Sequence, residues 1–97
     1  AAAPGMREIP GSEFSIDADL VLLAMGFTHV EHSRLLDELG VKLDDRGNVE
    51  VDDDYMTSVP GLFAAGDAQT GASLVVRAIA HGRAAATRVD RYLRARA

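Results

Sequence analysis

The chain has 97 residues, a net charge of −5 and no cysteine, and 47% of its residues are hydrophobic. This length allows one small domain that needs a partner or a cofactor for stability, and the lack of cysteine excludes disulfides, thiolate catalysis and cysteine-ligated iron or zinc. The acidic total argues against nucleic-acid binding, and no apolar run approaches the roughly 20 residues of a membrane span, so a cytoplasmic protein is expected.

The first two segments differ in pattern. Residues 1–13 contain two of the three prolines and two glycines without hydrophobic periodicity, which predicts a leading loop or an expression remnant. Residues 17–26 read DADLVLLAMG, an apolar run with a polar start and a glycine at its end. This pattern predicts a strand buried on both faces of a parallel sheet, although periodicity alone leaves a short buried helix open. Such a sheet needs neighbours that 97 residues can hardly supply.

A short helix and a hairpin are predicted next. Residues 31–39 have leucines three and four apart, with Ser33 as the expected N-cap and Gly40 as a left-handed end. Residues 41–43 and 48–51 flank an Asp-Asp-Arg-Gly turn, which predicts a small hairpin. The following run of three aspartates at 52–54 is interpreted as a solvated turn, because the alternating ligand spacing of an EF-hand loop is absent.

The C-terminal third has the clearest pattern. Pro60-Gly61 predicts a turn, residues 62–65 a short apolar strand that ends at Gly66-Asp67, and a loop of small residues follows. Ser73 is then predicted to cap a long helix that runs to about Arg94. The residues spaced for its core face are Val75, Ile79, Gly82, Ala86, Val89 and Leu93. The cations expected to oppose its negative end are Arg88, Arg91, Arg94 and Arg96.

The junction between this strand and helix is the candidate site. The Asp67 carboxylate can accept hydrogen bonds from sugar or polyol hydroxyls, and Gly66 lets a ligand approach the backbone. The helix start around Ser73, Leu74 and Val75 offers unpaired N–H groups to a phosphate or to an electron-rich carbonyl edge. The structural alternative, which composition alone favours, is that Asp67 caps the loop and Ser73 caps the helix.

Other titratable residues give no site. His29 and His32 stand three apart but lack a third ligand, so they are expected to be solvated and outside the helix. His81 is expected at the border of the packed helix face. Tyr55 and Tyr92 have no general base beside them in sequence. The sequence therefore predicts no catalytic side chain and no metal site, and any chemistry would come from a cofactor.

Two motifs resemble a known family. The stretch TSVPGLFAAGD at 57–67 resembles the second FAD-binding signature of two-dinucleotide-domain flavoprotein reductases. LVLLAMGF at 20–27 resembles the same superfamily's "ATG" segment, with Met25 in place of the usual threonine. Together with SLVV at 73–76 and Gly82-Arg83, the chain from about Ile9 onward is similar to the C-terminal end of the glutamate synthase small (beta) subunit and related NADPH-dependent oxidoreductases.

This resemblance implies an α/β fold, in which residues 14–97 form part of a Rossmann-like FAD/NAD(P)-binding domain with short strands, a small hairpin and a long C-terminal helix. It implies FAD and NADPH as cofactors of the parent oxidoreductase, with electrons passing to a partner such as a glutamate synthase large subunit. The residues expected to contact FAD are Gly26, Gly66, Asp67, Ser73, Leu74 and Val75. In the family, the aspartate of the signature bonds the ribityl chain.

The departures from the family are equally informative. No G-x-G-x-x-G motif and no iron-sulfur cysteine occurs in these residues. The chain is therefore predicted to be a C-terminal fragment that is inactive alone and pairs with missing FAD/NAD(P) domains. A second hypothesis is a non-catalytic assembly or folding module whose apolar run at 20–25 pairs with a missing domain or another copy. Nucleic-acid binding through the arginine-rich end ranks below both, because no aromatic platform accompanies it.

Overall fold

The computed structural model describes residues 7–97, and these residues contain three helices: α1 (Arg34–Leu39), α2 (Asp67–Thr70) and α3 (Val75–Arg96). The expected short strands are reduced to three antiparallel bridges, Leu43↔Val49, Val51↔Thr57 and Met56↔Phe63. Residues 41–65 thus form a meander in which each short extended segment pairs with the next. None of the described helices has the length and apolarity needed to cross a membrane.

The predicted buried strand at 17–26 is wrong for this structure. The segment is neither helical nor paired within residues 7–97, and its side chains are exposed, with Leu22 78% and Leu23 86% accessible. A strand exists only where a neighbour completes its hydrogen bonds, and a two-sided apolar strand needs a covering layer on each face. The described residues supply neither, so the segment is extended and bare.

Helix α1 and the hairpin are confirmed with small changes. Helix α1 begins at Arg34, and Ser33 precedes it in extended conformation without a side-chain capping bond. The helix ends at Gly40, which has φ 65° and donates its N–H to the carbonyls of Leu36 and Asp37. In the hairpin, Asp44 Oδ1 accepts hydrogen bonds from two backbone N–H groups of its own turn, those of residues 46 and 48.

The aspartate run forms the predicted turn, and the turn docks on α3. Asp52 Oδ1 accepts the N–H groups of Asp54 and Met56, which closes the turn locally. The Asp54 carboxylate then lies 3.3 Å from Arg88 Nε and 3.9 Å from Arg91 Nη1. These two arginines therefore pair with the turn, and only Arg94 and Arg96 lie in the last turn of the helix, which corrects part of the predicted cation pattern.

The Pro60-Gly61 turn is confirmed and packs against α3. Leu62 N–H donates to the Val59 carbonyl at 3.1 Å, and Gly61 has φ 82°, the arrangement of a type II turn. A Cβ on Gly61 would lie 3.1 Å from the Tyr92 hydroxyl. Tyr92 in turn meets Phe63 edge to face, with ring centroids 5.4 Å apart. The turn, the short strand after it and the end of α3 therefore form one packed unit.

Gly61→Ala is expected to lower the free energy of unfolding by about 2 to 4 kcal/mol, because alanine disfavours positive φ by about 1 to 2 kcal/mol and the new methyl displaces Tyr92. The measurement is urea unfolding followed by tyrosine emission. The chain offers a matched control in its other Pro-Gly turn, where Gly11 has φ 76° and no atom within 4 Å of its ideal Cβ. Gly11→Ala should cost only the backbone term of about 1 to 2 kcal/mol, because its new methyl meets no other atom. Equal effects at both glycines would contradict the packing argument.

The predicted core face of α3 is wrong. Val75, Ile79 and Leu93 are 75%, 58% and 59% exposed. The helix instead turns a face of small and aromatic residues to the meander, with Ala78 against Gly66, His81 beside Tyr55, Ala85 buried and Tyr92 on Phe63. Small residues on this face let the helix approach the Gly66 backbone closely, so the apolar stripe with the larger side chains points away.

The described chain is too open for a free-standing domain. It exposes 8393 Å², whereas a compact protein of 10.3 kDa exposes about 5,400 Å². Its radius of gyration is 18.8 Å, against about 12.5 Å for a compact domain of this length. The buried residues are few, and only two of them, Val49 and Ala85, are hydrophobic; the others are Asn48, Thr57, Gly66 and Gly71. All residues from 7 to 29 are exposed, and the exposed apolar surfaces include residues 20–27 and the outer stripe of α3.

Candidate functional site

Gly66 is the point where the meander meets α3. It is buried, with φ 67° and ψ −143°, a backbone conformation that is essentially restricted to glycine. A Cβ on this residue would lie 3.5 Å from Cβ of Ala78, which belongs to the first turn of α3. The backbone conformation requires glycine here, and the short distance to Ala78 shows that this residue lies beside the start of the helix.

Asp67 follows immediately, at the first position of α2. The predicted loop of small residues is therefore partly wrong, because residues 67–70 form a helical turn. The turn is closed by Thr70 Oγ1, which donates to the Gly66 carbonyl at 3.0 Å, and by Gly71 N–H, which donates to the Asp67 carbonyl at 2.9 Å. Asp67 itself is exposed. Its backbone is fixed while its carboxylate faces solvent.

The start of α3 is open. Leu74, not Ser73, is the N-cap residue, and no side chain makes a capping bond there, which corrects the predicted role of Ser73. The Leu74 carbonyl accepts the N–H groups of Arg77 and Ala78, so the N–H groups of the two preceding residues have no partner within the helix. Leu74 and Val75 are 63% and 75% exposed. This end of a 22-residue helix presents unpaired donors and partial positive charge to solvent.

The structure brings together most of the residues predicted to contact a cofactor. Gly66 and Asp67 lie against the first turn of α3 through the Gly66–Ala78 contact, and Leu74 and Val75 form its open end, with Ser73 exposed just before them. Gly26 is not brought to this place. It lies in the bare extended segment with φ 78° and no atom within 4 Å of its ideal Cβ. Its role as a contact stays a prediction.

The histidines near α1 are held by backbone groups. The rings of His29 and His32 stack with centroids 4.1 Å apart. His29 Nδ1 is hydrogen-bonded to the Val30 carbonyl, and His32 Nε2 is hydrogen-bonded to the Gly47 carbonyl. Both lie outside α1 and are exposed, as predicted, but they are ordered against the hairpin turn. Within residues 7–97, no group of three or more potential ligands is placed to hold a metal ion.

His81 lies at the border of the packed face, as predicted. Its ring centroid is 6.1 Å from that of Tyr55, and its Nδ1 is buried without a hydrogen-bond partner. It lines an open cavity of about 420 Å³ together with Val51, Asp52, Asp53, Tyr55, Gln69 and Thr70. The cavity borders α2 through Gln69 and Thr70, but neither Asp67 nor the start of α3 lines it.

Asn48 is a structural residue that sequence reasoning missed. Its side chain is 2% exposed, and its Oδ1 accepts the N–H of Val30 at 3.1 Å. It is the only asparagine in the chain and directly follows the turn glycine, Gly47. That position was interpreted as the start of a strand, and its burial depends on contacts 18 residues or more away in sequence. No local pattern reveals such contacts.

Comparison with known proteins identifies the family. Residues 6–82 match the family model of the pyridine nucleotide-disulphide oxidoreductases, and the chain belongs to this family. The match shows an oxidoreductase family. It implies the use of flavin and pyridine nucleotide and a Rossmann-like fold, with which the long C-terminal helix is consistent.

Similarity to individual proteins is more specific. The chain is 60% identical over 86 residues to the glutamate synthase [NADPH] small chain of Mycobacterium tuberculosis and 46% identical over 87 residues to that of Bacillus subtilis. It is 41% identical over 87 residues to the NADP(+)-dependent formate dehydrogenase subunit beta of Moorella thermoacetica. These alignments cover 89%, 90% and 89% of this chain but only 18%, 17% and 12% of the relatives. The predicted resemblance to the glutamate synthase small subunit is confirmed, and the chain spans less than a fifth of such proteins.

Proposed function

We propose that this chain is the segment of an NADPH-dependent flavoprotein oxidoreductase that holds the ribityl and ring end of FAD. The observation that carries the proposal is the contact between Gly66 and Ala78, because it puts an exposed carboxylate beside a long helix whose start has no cap. The flavin, when bound, would accept a hydride from the nicotinamide and pass the electrons onward. The described residues bind and polarise it and supply no proton donor or nucleophile.

Each residue of the site has a separate role in this proposal. The exposed Asp67 carboxylate accepts hydrogen bonds from ribityl hydroxyls, and such bonds to a charged group contribute about 1.5 to 3 kcal/mol. Gly66 has no side chain that would keep the ligand away from the backbone. The helix start at Leu74 and Val75, where the N–H groups of Val75 and Val76 have no partner within the helix, favours negative charge on the ligand by about 0.3 to 1 kcal/mol. Ser73 and Gly26 are proposed as further backbone contacts.

The names of the relatives support a partner chain. They do not show whether this segment belongs to an NADPH-dependent or an NADH-dependent protein. The Mycobacterium tuberculosis and Bacillus subtilis proteins are named small chains, so a large glutamate synthase chain is the proposed electron-accepting partner. A Schizosaccharomyces pombe relative named for NADH is 44% identical over 86 residues, close to the value for the NADPH-named Bacillus subtilis chain. We infer that the residues selecting NADPH or NADH lie elsewhere in such proteins.

The test is the flavin content of the full-length protein that carries this segment. Asp67→Ala is expected to weaken FAD binding about 10- to 100-fold, the equivalent of one hydrogen bond to a charged group, and Asp67→Asn should lose less because it keeps an acceptor oxygen. The ratio of flavin absorbance to protein after dialysis measures the effect. Asp53→Ala is the matched control, since Asp53 is an exposed carboxylate in the turn at residues 52–54. Undiminished FAD in Asp67→Ala would refute the assignment.

A second candidate function is a non-catalytic assembly module. It is favoured by the exposed apolar surfaces, residues 20–27 and the outer stripe of α3, which are suited to bind another domain or another copy of the chain. The flavin measurement separates the two functions. An assembly module without a cofactor predicts that Asp67→Ala and Asp53→Ala behave alike.

A further inference from the structure

Residues 29–32 connect the bare extended segment to the packed part of the chain, and we call them the crossover. The crossover is held against the hairpin turn by two hydrogen bonds and one close approach. Val30 N–H donates to Asn48 Oδ1 at 3.1 Å, a ring nitrogen of His32 donates to the Gly47 carbonyl at 2.8 Å, and the His29 ring lies 3.0 Å from where a Cβ of Gly47 would be. The path of the extended segment is thus set by residues 47 and 48.

The same turn is attached on its other side to the candidate flavin site. Val49 N–H donates to the Ala68 carbonyl at 2.9 Å, which ties the hairpin to α2 directly after Asp67. The Asn48 side-chain amide also lies 3.4 Å from where a Cβ of Gly71 would be. Gly71 has φ 79° and begins the loop that leads to the start of α3. Asn48 therefore bonds the crossover and lies close to Gly71, in the backbone between Asp67 and α3.

We propose that Asn48 is a positioning residue that holds the crossover and the flavin-binding segment, residues 67–75, in one fixed arrangement. The expected effect on the flavin rests on the proposed function. The coupling between the two segments rests on the contacts of Asn48. A buried side chain that is hydrogen-bonded to one segment and lies close to another transmits displacement of either one, because its hydrogen bond and its packing cannot both be kept if one segment moves alone. Movement of the chain before residue 29 would in this way reach the start of α3.

The first readout is hydrogen exchange of the Val30 amide in the full-length protein. Asn48→Ala removes the acceptor and should speed this exchange about five- to tenfold, as expected for one lost hydrogen bond. Gly71→Ala leaves the acceptor in place but puts alanine at φ 79°, and relief of this backbone strain shifts the loop that lies beside the Asn48 amide. It should also speed Val30 exchange, although residues 30 and 71 share no direct contact in the proposal. This remote effect is the specific signature of coupling through Asn48.

The second readout is the midpoint potential of bound flavin, which a merely structural role would leave unchanged. Asn48→Ala should lower it, because a displaced α3 start stabilises negative charge on the flavin less well. Thr57→Val is the matched control, since Thr57 is a second buried polar residue, 8% exposed, whose side chain bonds only to Val59 in its own turn. It should reduce stability without changing the potential or Val30 exchange.

Each outcome decides the inference. Faster Val30 exchange in both variants, with a lower potential in Asn48→Ala and neither change in Thr57→Val, supports it. Unchanged Val30 exchange in Gly71→Ala, an unchanged potential in Asn48→Ala, or the same effects in Thr57→Val would overturn it. A wild-type protein without flavin would instead refute the proposed function, and the exchange measurements would then decide the coupling by themselves.

Discussion

The 97-residue chain, purified alone, is expected to be colourless, to oxidise no NADPH and to bind FAD no better than millimolar. It carries the ribityl and ring contacts of the proposed site but no G-x-G-x-x-G turn for the pyrophosphate. One carboxylate hydrogen bond and one helix N-terminus contribute about 2 to 4 kcal/mol. Binding must offset at least about 4 kcal/mol of lost ligand freedom, so little or no net affinity is left.

Fluorescence quenching of FAD titrated with the chain measures this affinity, and a thermal melt with and without FAD measures any stabilisation. The full-length protein is the positive control and should retain flavin through purification, a difference of at least about 1,000-fold if its affinity is micromolar or better. A yellow preparation of the short chain, or a micromolar titration, would mean that a complete flavin site exists within these residues.

Leu22→Asp is expected to have opposite consequences in the short chain and in the full-length protein. Leu22 is 78% exposed here, so a charge costs the short chain little and should reduce the self-association that its bare apolar segment favours at low micromolar concentration. In the full-length protein, neighbouring strands are expected to cover the segment. The substitution would then lose about 1.5 to 3 kcal/mol of side-chain burial and add an unpaired buried charge, which is enough to abolish soluble folding.

Sedimentation of the short chain and the soluble yield of the full-length protein measure the two effects. Ser15→Asp adds the same charge to an exposed polar position just before this segment and should leave the full-length protein folded. A compact wild-type monomer in the short chain would count against exposed pairing surfaces. A stable, soluble Leu22→Asp full-length protein would show that the segment is not a buried strand there.

Local features of the fold could be predicted because their causes lie within a few residues. Gly40 ends α1 and Gly61 occupies the third position of its turn because each needs positive φ, and both positions follow from sequence spacing. The hairpin at 43–49 is closed by the Asp44 side chain and by backbone groups of its own turn. The signature at 57–67 could also be recognised from the sequence, because its turn, strand, glycine and aspartate are contiguous.

The outward apolar stripe of α3 shows what periodicity could not decide. Val75, Ile79 and Leu93 have the correct spacing for a core face. Helix periodicity predicts which residues share a face, but it does not predict which face packs against the rest of the chain. The meander packs against the face with Ala78 and Ala85, because only small side chains allow the helix to lie against Gly66. The exposed stripe is then left for a partner, as is the apolar segment at 20–27.

Contacts distant in sequence were decided by the tertiary structure alone. The sequence indicates a carboxylate, a close-approach glycine and a helix start, but the Gly66–Ala78 contact that joins them depends on how α3 packs. Asn48 carries no periodic or motif signal, and its importance comes from Val30 and Gly71, which approach it from 18 and 23 positions away. Hydrogen bonds and burial of this kind are properties of the packed chain, so a linear pattern determines the candidates and the packing determines which of them meet.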